Sequence, residues 1–303
     1  MRFSQTVQGL LLMSAAMMVA PAMDSIAKFI SGTIPAVEVG TARFFFQFIY
    51  LAPVVLLLKG PSGFWPRLPL LNIIRALLMA AATVIFFTAV KWMPVADAIA
   101  IFFVEPLILT VISAVFLNEQ IGWQRIGAVC IGFFGALLVI QPSYNLFGAI
   151  SLLPLATATL FACYLALTQV IARTEDPLTM QTFTGLVGCI FLGLVMIFGT
   201  SMEIELLTPA WPNSFEWLAL ASVGLIAACA HLMITHAFKH VPASTLAPFQ
   251  YLEIISATAL GYFIFGDFPN TLKWIGIFII VASGLFVLWR EQQVDNQKRS
   301  KIT

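Results

Sequence analysis

Long apolar stretches, separated by short polar or proline-bearing breaks, run from one end of the chain to the other. A bilayer core about 30 Å thick needs roughly 20 helical residues at about 1.5 Å rise each. By that ruler the pattern predicts ten helices, at approximately 8–31, 35–58, 69–91, 94–117, 122–141, 148–173, 177–199, 215–238, 242–265 and 271–290. Between them fall Gly32 and Pro35, Gly60-Pro61, Pro94, Gln141-Pro142, Pro177, the Pro209–Asn213 stretch, Pro242 and Pro269. Pro35, Pro94, Pro177 and Pro242 each stand where a helix begins, a position whose N–H needs no intrahelical partner. Ala20-Pro21-Ala22 resembles a small-residue cleavage site, but Asp24 and Lys28 continue the apolar stretch beyond it, so the first helix is read as retained.

Composition agrees with the pattern. Of 303 residues, 60% are hydrophobic and only 10% charged, against about 25% charged in an ordinary soluble domain. The fold class is therefore an all-α polytopic membrane protein. Lys+Arg 15 against Asp+Glu 14 leaves no basic surface to attract nucleic acid. Cys130, Cys163, Cys189 and Cys229 lie in apolar stretches without CxxC spacing and read as small packing residues. No metal-ligand cluster, phosphate-cradling loop or nucleophile turn is present, and His231 and His236 match no zinc spacing. The sequence points away from an enzyme and calls for no metal or cofactor.

Basic residues near helix ends set the orientation. With the N-terminus in the cytoplasm, that side receives Arg2, Lys59, Arg67, Arg75, Arg125, Arg173, Lys239, Arg290, Lys298, Arg299 and Lys301, whereas the other receives Lys91 and Lys273. Both termini are expected inside, with 291–303 as a polar tail. The second half also echoes the first. Residues 89–105 read AVKWMPVADAIAIFFVE and residues 237–253 read AFKHVPASTLAPFQYLE, aligning Lys91, Pro94 and Glu105 with Lys239, Pro242 and Glu253. Glu119 then falls on Asp267 and, after one inserted residue, Gly127 and Gly135 fall on Gly276 and Gly284. Five spans per half is an odd number, so the halves (1–145 and 146–290) enter the membrane from opposite sides. Inverted repeats around a central site recur in secondary transporters.

With those segments in view, the chain resembles the EamA branch of the drug/metabolite transporter superfamily. The resemblance rests on VEPLILTVISAVFLNEQIGWQRIGAVCIGFFGALLVI at 104–140, its echo at 252–288, and Arg43 within GTARFFF. It implies ten spans and transport of a small molecule, and Glu105, Glu119, Gly127 and Gly135 match the family's arrangement. The halves depart from each other at Pro106, answered by Ile254, and at Arg43, which has no basic counterpart in the seventh span.

Ionisable groups at membrane depth are costly and so face the bundle interior. Asp24, Lys28, Arg43, Asp97, Glu105 and Glu253 are such groups. Asp24 and Lys28, four apart, share one helix face and either neutralise each other or line a cavity. Arg43 offers a planar fork to Asp24, to Glu38 or to a substrate carboxylate. Glu105 and Glu253 are equivalent under the repeat, as are Phe102 and Gln250; either glutamate is a candidate proton carrier or part of a pair locking helices together. His231 reads as a solute ligand or a packed core histidine, and Tyr164 and Trp92 offer amphipathic rings. The expected solute-binding set is thus Asp24, Lys28, Arg43, Trp92, Phe102, Glu105, Tyr164, His231, Gln250 and Glu253. The expected function is secondary transport of a small polar or amphipathic metabolite across the inner membrane by alternating access. Candidates are an amino acid, a vitamin such as riboflavin, or a nucleoside-like cofactor such as S-adenosylmethionine. A proton-coupled efflux pump and a passive channel are the alternatives. Expected partners are the solute, membrane lipid and, for a coupled carrier, protons; the chain is expected as a monomer or homodimer.

Overall fold

The computed structural model describes residues 5–30, 32–92, 95–119, 122–140, 148–204, 207–265 and 270–300. Among them every regular element is a helix. The order is α1 (Gln5–Ile30), α2 (Ala36–Lys59), a 3₁₀ turn (Pro61–Phe64), α3 (Pro69–Trp92), α4 (Val95–Phe102), α5 (Glu105–Phe116) and α6 (Trp123–Ile140). A second 3₁₀ turn (Gly148–Ser151) leads to α7 (Leu152–Ala172), α8 (Pro177–Ser201), α9 (Ser214–His240), α10 (Ala243–Gln250), α11 (Glu253–Phe265) and α12 (Thr271–Ser300). Six of these are long and apolar enough to cross a membrane: α1, α2, α3, α7, α8 and α9.

Local chemistry explains the boundaries. Pro35 and Pro242 precede α2 and α10 as N-cap residues, and Pro177 opens α8 behind Asp176, whose carboxylate accepts from the Leu178 and Thr179 N–H groups. Pro94 lies outside the described residues. A capping box starts α9: Asn213 Oδ1 accepts from Glu216 N at 3.0 Å, and Glu216 Oε2 accepts from Asn213 N at 2.7 Å. The polar segment after residue 290 is helical to Ser300, in keeping with the helix propensity of its Glu, Gln, Lys and Arg residues. A departure concerns the fourth and ninth predicted spans. Each is two helices, broken at Phe103-Val104 and at Tyr251-Leu252.

Packing interleaves the two halves of the chain. α1 packs on α9 as α3 packs on α7; α1 packs on α11 as α5 packs on α7; α2 lies along α8 and α6 along α12. Small residues permit the closest approaches. A Cβ on Gly135 would meet the Gly276 carbonyl oxygen at 3.0 Å, and one on Gly185 would meet Phe48 N at 2.9 Å. The core that fills the interior includes Phe44, Phe103, Phe238, Leu246 and Tyr251. Around the outside, Leu57, Phe116, Phe263 and Phe278 are exposed, as lipid-facing residues must be, and Trp65, Trp123 and Trp211 stand at helix ends where an interfacial aromatic belt belongs.

Candidate functional site

Arg43 occupies the second turn of α2 and is only 6% exposed. Glycine puts it there. A Cβ on Gly224 of α9 would lie 3.2 Å from both Arg43 O and Gln47 N, and Gly185 of α8 admits the Phe44 carbonyl from the other side. The α2 backbone is therefore wedged between α8 and α9 at the height of this charge. Arg43 Nη2 donates to His231 Nε2 at 2.5 Å, and His231 Nδ1 lies 3.2 Å from Tyr164 Oη. A band of amides and hydroxyls steadies the α9 turn that carries His231. Gln47 Nε2 donates to Gln181 O at 2.8 Å, Gln181 Nε2 donates to His231 O at 3.2 Å, and Thr235 Oγ1 donates to His231 O at 2.8 Å.

A second arginine closes this side of the site. Arg75 of α3 is fully buried. Its Nε donates to Thr168 Oγ1 at 2.7 Å, its Nη1 to Thr184 Oγ1 at 2.6 Å, and its Nη2 to Tyr164 Oη at 3.4 Å. The guanidinium also sits 4.9 Å from the Tyr164 ring centroid. The tally of basic residues near helix ends places Arg75 among the cytoplasmic charges, but the structure turns it inward. Its position within NIIRALLMAA, with apolar residues on both sides, was the available signal.

Acids stand opposite. Glu105 opens α5 just after the break and is 1% exposed, and its Oε1 has no hydrogen-bond partner. The Gln250 amide lies beside it, with Nε2 likewise unpartnered. Glu253 is half-buried and close enough to interact electrostatically with Glu105 and with Asp24. Asp24 is exposed to open space yet feels the charge of Arg43. No carboxylate comes within 4.0 Å of Arg43 or Arg75 among the described residues. Glu38 does not pair with Arg43; it accepts from Ala210 N at 2.8 Å.

An aromatic row connects these groups to Phe102. Its ring lies 5.7 Å from that of Phe161, which lies 5.5 Å from Tyr164, which lies 6.1 Å from the His231 ring. Phe161 was missed because the chain holds 27 phenylalanines and nothing local marks one of them. The two breaks also touch. Tyr251 Oη donates to Phe103 O at 3.3 Å, and their rings are 5.9 Å apart. Asp24, Arg43, Phe102, Glu105, Tyr164, His231, Gln250 and Glu253 are thus linked into one polar and aromatic interior. The side chains of Lys28, Trp92 and Asp97 lie outside the described residues. A separate apolar groove of about 430 Å³ at the end of α8, lined by Phe191, Phe198, Met202 and Leu207 among others, contains none of this chemistry.

Similarity to known proteins agrees with this picture. The chain is 28% identical over 285 residues to an S-adenosylmethionine uptake transporter of Rickettsia conorii, covering 91% of each. It is 28% identical over 210 residues to a riboflavin transporter of Vibrio cholerae, covering 68% of this chain and 67% of that one. It is 25% identical to a pseudopaline exporter of Pseudomonas aeruginosa, covering 91% of this chain and 94% of the exporter. One solved crystal structure shares the fold with a TM-score of 0.78 at 19% identity, covering 94% of this chain and 98% of the other. The model of the EamA-like transporter family matches residues 7–141 and again 147–289. The chain is a multi-pass membrane protein that belongs to the EamA-like transporter family, and it is a transporter rather than an enzyme.

Proposed function

We propose that this protein is a secondary transporter of the inner membrane, with both termini cytoplasmic, that carries a small polar or amphipathic organic metabolite by alternating access. Two five-helix halves, 1–145 and 146–290, are read as inverted repeats around the central site. The observation that carries the reading is the meeting of opposed charges where two spans break. Arg43 is within electrostatic reach of Asp24, Asp24 of Glu253, and Glu253 of Glu105. Broken spans at a repeat interface leave polar groups free of helical bonding, and such places serve as solute sites in carriers. The exchange symmetry of the packing, with α1 on α9 answered by α3 on α7, supports two halves that rock against each other.

An interior holding both signs favours a solute that also carries both. An amino acid or S-adenosylmethionine fits this better than riboflavin, which has no ionised carboxylate. Reconstituted vesicles preloaded with unlabelled S-adenosylmethionine, methionine or riboflavin test the reading. Saturable counterflow of at least one labelled solute is the expected result. Non-saturating flux would make the protein a channel, and no flux of any solute would remove the reading. The buried Glu105 carboxyl, one of whose oxygens has no partner among the described residues, favours proton coupling as a second feature. Glu105→Gln assayed across an imposed pH gradient then loses its dependence on that gradient; an unchanged dependence rules Glu105 out as the proton carrier.

A further inference from the structure

The two buried arginines differ in how completely their donors are used, and the difference points to a ligand. Arg75 has acceptors at Nε, Nη1 and Nη2, supplied by Thr168, Thr184 and Tyr164. It is a finished structural element. Among the described residues Arg43 has one acceptor, His231, and its buried Nε has none. A guanidinium that is 94% buried without a nearby carboxylate and with a donor unmet is costly to keep.

The polarity of the hydrogen bonds around it is fixed. Arginine only donates, so His231 Nε2 must present a lone pair to Arg43 Nη2. The imidazole is then neutral with its proton on Nδ1, and it donates to Tyr164 Oη. Arg75 Nη2 donates to the same oxygen. A phenol oxygen has two lone pairs, and both are now taken, so the Tyr164 O–H proton is left to find an acceptor elsewhere. Tyr164 is fully buried, and none of its bonds among the described residues uses that proton as donor. Arg43 and Tyr164 therefore flank one imidazole, each held in place and each with a hydrogen left over.

We propose that Arg43 and Tyr164, positioned by His231 and Arg75, form a subsite for the carboxylate of the solute. The acceptor this subsite lacks is an anion with at least two oxygens, and a carboxylate matches the fork of an arginine together with a phenol. The rest of the solute extends toward Asp24 and Glu253, where a cationic centre is matched. Arg75 does not touch the solute. It is a positioning residue that sets the direction of the Tyr164 hydroxyl. This inference rests on the transport reading above and assigns the orientation of the solute within that same site.

The test uses the unmodified protein first. Binding of S-adenosylmethionine and of its decarboxylated analogue is compared by thermal shift and by competition in the counterflow assay, with methionine against methioninamide as a second pair. Removing the carboxylate is expected to weaken binding roughly tenfold to hundredfold, the size of one or two charge-assisted hydrogen bonds. Arg43→Lys, which keeps the charge, and Tyr164→Phe, which removes only the hydroxyl, are each expected to shrink that ratio toward one. Equal binding of both members of each pair overturns the carboxylate subsite and leaves the transport reading intact. Carriage of riboflavin together with no binding of either carboxylate overturns it as well. Absence of flux for every solute overturns the transport reading and, with it, the subsite.

Discussion

In the fourth span the turn between α4 and α5 is followed by Pro106, whereas in the ninth the equivalent residue after the glutamate is Ile254. Pro106 has no N–H to return to the carbonyl four residues earlier, so that break is written into the covalent chain. Ile254 keeps its N–H and donates to Tyr251 O at 3.2 Å; here the proline, Pro248, lies inside α10 instead. The surroundings differ as well. All eight residues of α10 are buried, so packing holds that half-helix, and Glu253, which opens α11 beyond it, is half-buried within electrostatic reach of Asp24. Glu105 is enclosed next to Gln250. Equivalent places in a repeat have thus divided the work, one break being fixed by backbone chemistry around a dry carboxyl and the other by packing around a wetter one.

The largest expected effect comes from forcing the two breaks apart. Gly132 of α6 lies beneath the Tyr251 ring, and a Cβ there would come within 3.0 Å of Cε2. That ring is buried and tied to Phe103, so it has little room to retreat. Gly132→Leu should lower stability by about 3 kcal/mol or more, read as a thermal midpoint in detergent. Gly127→Leu, where no atom lies within 4 Å, should be tolerated. A native midpoint for the first variant would mean that the breaks do not depend on each other's packing.

Next come the proline exchanges. Ile254→Pro removes the bond to Tyr251 and a side chain only 3% exposed, and should cost about 2 kcal/mol. Pro106→Ala restores an N–H to the fourth span and should gain about 1 kcal/mol while slowing counterflow, because a resealed helix is the stabler and less mobile one. Faster counterflow in Pro106→Ala would contradict the assignment of the break to function.

The glutamates should respond unequally to the same change. At Glu105 an amide replaces an enclosed carboxyl with an unmet oxygen, so Glu105→Gln should raise stability by about 1 kcal/mol. Half-buried Glu253 can be reached by water, and Glu253→Gln should move the midpoint less. Equal shifts, measured side by side, would erase the distinction between the dry and the wet acid.

These contrasts show what the sequence could and could not carry. Span positions were legible because a membrane helix announces itself by the length of an apolar run, which is local. The breaks were not. Tyr251-Leu252 holds no helix breaker, so only tertiary contact between Tyr251 and Phe103 marks that place; Pro106 does mark the other, but inside an apolar run that continues on both sides it does not show that the span divides in two. Arg43, Glu105 and Glu253 were legible because a charge at membrane depth has few places to go. Arg75 was hidden by its nearness to a helix end, where a basic residue ordinarily marks the cytoplasmic face. Its inward turn depends on Tyr164, Thr168 and Thr184, all about ninety or more residues away along the chain.

The smallest expected effect lies outside both breaks and calibrates them. Asp176, between α7 and α8, pairs with Lys59 at 2.5 Å and caps α8. Burial pushes its carboxyl up, but the Lys59 bond and charge and the Thr179 and Leu178 N–H groups outweigh that and hold it below its ordinary value of 3.8. A depressed carboxyl contributes stability that is fully present above the unfolded value and is lost as pH falls through the folded one. The pair is about a third exposed on the Lys59 side and more on the other, so screening limits the ion pair to a few tenths of a kcal/mol. Asp176→Asn keeps an oxygen for the cap and should lose only that much at neutral pH, with the difference from the unmodified protein vanishing in acid below the ordinary carboxylate range. Asp176→Ala loses the cap too and should cost about 1 kcal/mol. Because both variants leave the two breaks untouched, their counterflow should match that of the unmodified protein. Slowed counterflow in Asp176→Asn would mean that the α2 and α8 loops move with the breaks rather than standing apart from them.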